Sequence, residues 1–431
     1  MTIETFRQLS ESPIILDGAT GTWLQSKNLP SGTCPEKWVL DNPQILAELQ
    51  AAYCESGSRI LYAFTFGANR LKLMHHGLAE HEVPDYNMKL ATISCQVRDQ
   101  WNESHPDKQV YVAGDLAPTG AFLAPAGTLT FDQLTKIYQE QAASLIDAGV
   151  DLFVIETMYD LAQARAAVIA IRDLCNLPIM VSMTLEAHGK TMSGNSLTDC
   201  LLTLASLDIQ AFGLNCSHGP EKLGEWLQPL LSISPVPLLA KPNAGLPRQE
   251  GDRTIFPMQP DSFAHHMARL ADLGITLTGG CCGTTPDHIT ALSQMIAKKQ
   301  TRQSGRPAQL PAMISSGRRY LSVDQDLLKD MDRIKIDDPD SLIDELLDID
   351  DNEMSACLLE LPDLSELAAD DLLNWTRALE EAQSMIAMPM VFVCESEKQV
   401  SGLKQVLRYY HGRAGILSEN PICVPGALLL N

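Results

Sequence analysis

The chain has 431 residues, with 32 Lys and Arg against 54 Asp and Glu, a formal net charge of −22 at pH 7. Such an acidic chain repels nucleic acid and anionic membranes, so neither is an expected partner. Hydrophobic residues make up 45% of the sequence, enough for a sizeable core, and the length fits two or three domains or one large barrel with an extension.

Residues 1–12 are polar and lack the apolar core of a signal peptide, and no apolar run is long enough to span a bilayer. A cytoplasmic protein is expected. Its 11 cysteines then sit in a reducing compartment, where clustered ones read as metal ligands rather than disulfides.

In chain order, strand-like runs fall at Ile14-Ile15-Leu16, Arg59-Ile60-Leu61-Tyr62, Val110-Tyr111-Val112-Ala113 and Leu152-Phe153-Val154-Ile155. Four more follow at Ile179-Met180-Val181-Ser182, Ala211-Phe212-Gly213-Leu214, Leu238-Leu239-Ala240 and Ile275-Thr276-Leu277. They are nearly continuous apolar runs, as expected for strands buried on both faces of a parallel sheet. Helical patterns lie between them, for example over residues 132–148 and 161–175. Eight strand–helix units predict a (β/α)8 TIM barrel over residues 1–297. The alternative, an open doubly wound sheet, lacks a GxGxxG fingerprint. Residues 298–311 are polar and basic with Gly305 and Pro307, and read as a linker. Residues 312–431 form a smaller α/β region with about four strands, too few to close a barrel.

The sharpest chemical signal is Gly279-Gly280-Cys281-Cys282-Gly283-Thr284-Thr285-Pro286, directly after the eighth run. In a parallel barrel the C-terminal strand ends form the active-site face. The flanking glycines allow sharp turns and close approach, so both sulfurs can converge. Cys216, in Gly213-Leu214-Asn215-Cys216-Ser217-His218-Gly219-Pro220, ends the sixth strand on the same rim. Three cysteines and one open position suit a catalytic zinc ion. Placement alone leaves a second reading open, in which the trio are strand-end core residues. The other eight cysteines, Cys34, Cys54, Cys95, Cys175, Cys200, Cys357, Cys394 and Cys423, read as small buried hydrophobes.

With these motifs the sequence resembles the homocysteine S-methyltransferase family, which includes the N-terminal barrel of cobalamin-dependent methionine synthase. The resemblance also rests on Leu16-Asp17-Gly18-Ala19-Thr20-Gly21-Thr22, Thr65-Phe66-Gly67-Ala68-Asn69-Arg70, Glu156-Thr157-Met158-Tyr159-Asp160 and Lys241-Pro242-Asn243-Ala244-Gly245. It implies zinc (Zn2+) on Cys216, Cys281 and Cys282, and methyl transfer to the thiol of homocysteine to form methionine. Glu156 is the expected acceptor for the substrate ammonium, with Asp17 assisting. The Ala19-Thr20-Gly21 turn offers N–H groups to the carboxylate. Asn243 is expected as a support near the metal, and His218 as a loop residue rather than a ligand.

The sequence departs from the family at two places. The methionine-synthase branch carries Thr-Asn-Thr-Phe after the second strand, where this chain has Ala63-Phe64-Thr65-Phe66. Residues 312–431 resemble a truncated, degenerate part of the pterin-binding barrel that follows in methionine synthase. Met331-Asp332-Arg333-Ile334-Lys335 and Cys394-Glu395-Ser396 replace its typical polar runs, which argues against a folate site. Half a barrel exposes a sheet edge, so a homodimer or a docked donor protein is expected there. The sequence holds no DxHxxG run of the kind that ligates cobalt from below. A methylcobalamin donor is therefore expected on a separate corrinoid protein. Alternatives are S-methylmethionine or betaine as donor, selenocysteine as acceptor, and a non-catalytic homocysteine- or zinc-binding sensor.

Overall fold

In the computed structural model the described residues are 1–30, 32–251, 253–298, 305–331, 333–351 and 355–430. Part of the stretch read as a linker, residues 299–304, and Asp332 of the degenerate run lie outside them. The chain forms two compact units, Met1–Glu186 with Ile209–Pro307, and Ala187–Asp208 with Ala308–Asn431.

The first unit holds eight parallel strands: β1 (Ile14–Ile15), β2 (Ile60–Tyr62), β3 (Tyr111–Leu116), β4 (Leu152–Met158), β5 (Ile179–Met183), β6 (Ala211–Cys216), β7 (Leu238–Pro242) and β8 (Leu277–Thr278). From β2 to β8 each strand pairs with its neighbour in sequence, and β8 pairs with β1 in the register Ile14↔Leu277. A parallel bridge, Leu16↔Ile60, joins the ends of the order and closes the barrel. All eight strands overlap the runs read from sequence, the last by Leu277 alone, because parallel strands buried on both faces must be apolar throughout.

The barrel interior is layered. Near its N-terminal end, Ile14, Leu16, Ile60, Ala113, Leu152, Val154, Met180, Ala211, Leu239 and Leu277 form one apolar cluster. Phe6, from the helix Ile3–Leu9, packs into this cluster and is 1% exposed. That helix starts where the Thr2 side chain accepts from the Thr5 N–H, and it plugs this end. Polar side chains are therefore confined to the other end, where the strands open into loops.

In the second unit, five parallel strands run in sequence order: β11 (Arg333–Lys335), β12 (Cys357–Glu360), β13 (Met390–Val393), β14 (Ala414–Leu417) and β15 (Ala427–Leu430). They follow an antiparallel hairpin of β9 (Met313–Ser315) and β10 (Tyr320–Ser322). The count exceeds the four strands expected. β11 is only three residues with two charges, and β15 is a leucine run that sequence patterning cannot tell from a buried helix segment. Cys357, Leu359, Met390 and Phe392 pack on one sheet face with Leu346, Trp375 and Leu403 from the helices Pro339–Asp351, Ala369–Met385 and Glu397–Leu407. Leu358 and Val391 point the other way, onto Ile314 of the hairpin and Val323. Both sheet faces are thus covered from within the unit. The edge strand β11 presents Arg333 and Lys335, charges that discourage edge-to-edge pairing.

Residues 187–208 bond into this second unit. The Ser315 hydroxyl donates to Asp199 Oδ1 at 2.6 Å, the Asn195 amide to the Gly317 carbonyl at 2.6 Å, and the Gly426 N–H to the Ser206 carbonyl at 2.9 Å. Of the eight cysteines read as buried hydrophobes, Cys423 is exposed and Cys175 half-buried, and the other six are buried. Cys423 lies in the irregular segment between β14 and β15, where no strand face receives it.

Gly213, in β6, has no room for a side chain. A Cβ there would meet the Leu239 carbonyl oxygen of β7 at 1.9 Å. Gly213→Ala is expected to cost roughly 2–4 kcal/mol, read as a lower urea midpoint, because the obstacle is strand backbone that cannot rotate aside.

Candidate functional site

The three cysteines meet at the C-terminal end of the barrel. Their sulfurs lie within 4.8 Å of one another, and this is the one group of three or more such ligand atoms found among the described residues. Each of the three is partly exposed, so the cluster is reached from the mouth. Cys216 and Ser217 take left-handed backbone conformations, φ 58° and 57°, unusual for residues with a Cβ. Ser217 is secured by a hydrogen bond between its hydroxyl and Thr184, and by the Leu185 N–H donated to its Oγ at 3.1 Å. On the facing loop, the Cys281 N–H donates to the Pro242 carbonyl (2.8 Å) and the Ala244 N–H to the Cys282 carbonyl (2.9 Å). Thr284 locks the turn: its hydroxyl donates to the Cys281 carbonyl at 2.7 Å and accepts the Ala19 N–H at 3.0 Å. Gly283 has φ 80°, and a Cβ there would lie 2.2 Å from Phe256, so only glycine fits this turn.

Three thiols this close cannot ionise independently. Hydrogen bonds from Cys281 and then Cys282 pull Cys216 down to about 3. Cys282 is pushed up to about 12, chiefly by Cys216, and Cys281 is raised by both neighbours and by burial. Without a cation the trio carries one thiolate, on Cys216. Tetrahedral zinc at about 2.3 Å from each sulfur separates the sulfurs by roughly 3.8 Å, so a small contraction from the present spacing suffices. The donor set therefore fits zinc.

Amide groups surround the sulfurs. Asn243, 4% exposed, hydrogen-bonds the Cys216 sulfur. Asn215 Nδ2 lies 3.9 Å from Cys281 Sγ, and also donates to Glu156 Oε2 at 3.2 Å and Thr157 Oγ1 at 2.6 Å. Asn215 thus joins the cysteines to the acidic part of the site. Glu156 lies within a register shift in β4 between Ile155 and Met158, beside Thr157 with φ 56°. The irregularity re-aims Glu156, and its side chain is partly exposed while closely surrounded by protein. Burial raises its pKa to about 7, against the opposing pull of Lys241.

Asp17 is placed differently from Glu156. It is 1% exposed, its Oδ1 is 2.6 Å from Lys241 Nζ, and its Oδ2 accepts the Tyr62 N–H at 2.7 Å. The Lys241 ammonium also sits 3.5 Å from the centre of the Tyr62 ring. Burial lowers the pKa of Lys241, but Asp17 and Glu156 outweigh it, so the ammonium is kept above its usual range. Ala19, Thr20 and Gly21 lead into the short helix Gly21–Ser26. The Ala19 N–H is already donated to Thr284. His218 stays in the loop after β6 with its ring against Trp226, 5.2 Å between centroids. Of the altered pair, Ala63 is buried and Phe64 packs with Leu24, Leu46 and Leu73.

Sequence reading did not single out Lys241, Asn215, Thr284 or Asp115. Asp115 lies on β3, 3% exposed, and bonds to Glu156 carboxyl to carboxyl. A polar residue near the C-terminal end of a barrel strand was the available signal for the first two and for Asp115. Thr284 gave none, since it acts through a loop crossing.

Fold and site together define a (β/α)8 barrel with a cysteine-rich rim, suited to a soft metal, beside buried acids. The homocysteine S-methyltransferase family matches over residues 14–296, and the chain belongs to that family. The methionine synthase of Mycobacterium leprae is 32% identical over 302 residues, and that of Mycobacterium tuberculosis 31% over 309. These stretches cover 67% and 68% of this chain but 25% and 26% of the relatives, so the chain spans about a quarter of their length. Among solved structures, the metallated form of the homocysteine methyltransferase MmuM from Escherichia coli superposes with a TM-score of 0.58. It is 24% identical, with 66% of this chain and 96% of that chain covered, and supports the barrel fold. Among the described residues no helix is long and apolar enough to cross a membrane.

The Glu156 shift has a measurable sign. A carboxyl whose folded pKa is raised stabilises the fold while protonated, fully so below its ordinary value of 4.5. That contribution is lost as the pH rises through about 7. In chelator-treated protein, Glu156→Gln should therefore gain stability relative to the parent between about pH 5 and about pH 8. Urea midpoints at the two pH values check this, and a constant difference would contradict the assignment.

Proposed function

We propose that the protein transfers a methyl group to the thiol of homocysteine, forming methionine, with zinc held by Cys216, Cys281 and Cys282. The observation that carries this reading is the convergence of three sulfurs at the open end of a barrel of this family. When bound, zinc supplies a cation that deprotonates the substrate thiol near neutral pH and leaves its sulfur nucleophilic.

The chain's own residues orient the substrate. Glu156 accepts hydrogen bonds from the α-ammonium. With the Ala19 N–H engaged, the substrate carboxylate falls to the N–H groups of Thr20 and Gly21. Asp17 acts through Lys241, holding the interior charge in place from below. Asn243 and Asn215 orient Cys216 and Cys281. The apolar plug excludes water from the closed end, so the reacting groups meet only at the mouth. The substrate sulfur attacks the donor's methyl carbon in line, and the donor departs with the bonding pair.

Likeness to methionine synthases supports a methylated corrinoid as donor. The acidic net charge suits a basic docking partner. Thiols that must stay reduced suit the cytoplasm.

The test is methionine formation by the zinc-loaded full chain, given homocysteine with methylcobalamin, S-methylmethionine or betaine in parallel. Turnover with methylcobalamin is expected, and turnover only with another donor would overturn the corrinoid assignment. Cys282→Ala should lose tight zinc binding and turnover together, and a variant keeping both would sink the ligand set. Tight homocysteine binding without turnover from any donor would favour a sensor.

A further inference from the structure

Three carboxyl groups gather in the polar layer of the barrel, Asp17, Asp115 and Glu156, and their electrostatic partners there are Lys241 and the more remote Lys72. Lys72 lies over the Phe66 ring, 4.7 Å from its centre. Lys241 is committed to Asp17 at 2.6 Å, and the second Asp17 oxygen takes the Tyr62 N–H. That ion pair fixes the Lys241 ammonium against Asp17, and its charge acts on Glu156 and Asp115 only from a distance. No lysine, arginine or histidine is ion-paired to Asp115 or Glu156 among the described residues.

Asp115 and Glu156 face each other instead. β3 and β4 are neighbours, with Asp115 opposite Val154 and Glu156 two residues further along β4, and the two carboxyls are hydrogen-bonded. A carboxyl–carboxyl hydrogen bond needs one proton, because two carboxylates are both acceptors. The surroundings decide which acid keeps it. Glu156 is partly exposed and receives the Asn215 Nδ2–H at 3.2 Å, a donor that favours the anion. Asp115 is 3% exposed, and its buried Oδ1 finds no donor. Its backbone is pinned on both sides by Thr65, whose hydroxyl donates to the Asp115 carbonyl at 2.8 Å and lies 3.2 Å from the Asp115 N–H. A carboxyl so placed, with no hydrogen-bond donor and no paired cation, favours the neutral form. Burial and the adjacent Glu156 both act in that direction.

We propose that Asp115 is a positioning residue, held as the neutral acid, which donates a hydrogen bond to Glu156 and fixes it as the carboxylate without an ion-paired cation that faces the substrate's α-ammonium. This rests on the reading above, that the substrate is an amino-acid thiol. It goes further in assigning ammonium recognition to the Asp115–Glu156 pair and a separate, internally neutralised role to Asp17–Lys241.

The experiment compares two ligands on the zinc-loaded full chain: homocysteine, and its deamino analogue γ-mercaptobutyrate, which keeps thiol and carboxylate. The ratio of their affinities, measured by calorimetry, isolates ammonium recognition. The parent protein is expected to prefer homocysteine by roughly tenfold to hundredfold, the scale of one charged hydrogen bond. Asp115→Asn carries an amide that donates the same bond without charge, so the preference should survive within about threefold. Asp115→Val has no donor, and the preference should fall at least about tenfold while γ-mercaptobutyrate binds as before. Collapse of the preference in Asp115→Asn would overturn the neutral-acid assignment, and its survival in Asp115→Val would overturn the positioning role. Should Asp115→Val fail to hold zinc, Asp115→Asn alone still decides, with retention supporting the proposal and loss rejecting it. A parent protein that binds both thiols equally also overturns it. A parent that binds neither thiol and makes no methionine would instead reject the function proposed above.

Discussion

Holding three cysteine sulfurs within 4.8 Å of one another dominates the open end of the barrel. Mutual repulsion permits only one thiolate in the absence of a cation, and the backbone must bend to bring the sulfurs together. Cys216 and Ser217 sit in left-handed conformations that cost roughly 1–3 kcal/mol each for residues with a side chain. The hydroxyl of Ser217, bound to Thr184 and Leu185, helps offset that strain. On the other loop, glycines let Cys281 and Cys282 turn towards one centre, and Thr284 ties the turn to the loop after β1. The binding free energy of a cation held by the three sulfurs would offset both strain and repulsion.

The acids beside the cysteines obey the same electrostatic limit. A barrel interior plugged by Phe6 and aliphatic side chains has little solvent to screen charge. Each ion there therefore needs a partner. Asp17 has Lys241, packed over Tyr62, whereas Glu156 has the Asn215 amide and the Asp115 carboxyl. Asn215 spans from Glu156 to Cys281, so the acidic group and the cysteine cluster form one connected network. Its position follows from β6, where it precedes Cys216 and pairs in register with Lys241 on β7.

Among the described residues the second unit has five parallel strands in sequence order. It covers its open face with the hairpin Met313–Ser315 and Tyr320–Ser322 and with Val323. Its first edge carries Arg333 and Lys335, whose charges suit an edge left unpaired in solution. Residues 187–208 are held to it through Asp199 and Asn195, whose buried side chains find their partners in Ser315 and Gly317.

By itself the amino-acid sequence determined the eight barrel strands, the three cysteines, and Glu156 and Asn243 beside them. Strands buried on both faces must be continuous apolar runs, and a glycine-flanked cysteine pair after a strand leaves few other uses. Only the tertiary structure decided that Asp17 is bound to Lys241, that the Ala19 N–H is taken by Thr284, and that Asp115 meets Glu156. Each of these is a contact between residues far apart in the chain, made when the barrel closes. Nothing in the local pattern of Gly114-Asp115 or Lys241-Pro242 shows which charge lies opposite, since partner identity depends on strand register and on the direction each side chain takes across the barrel.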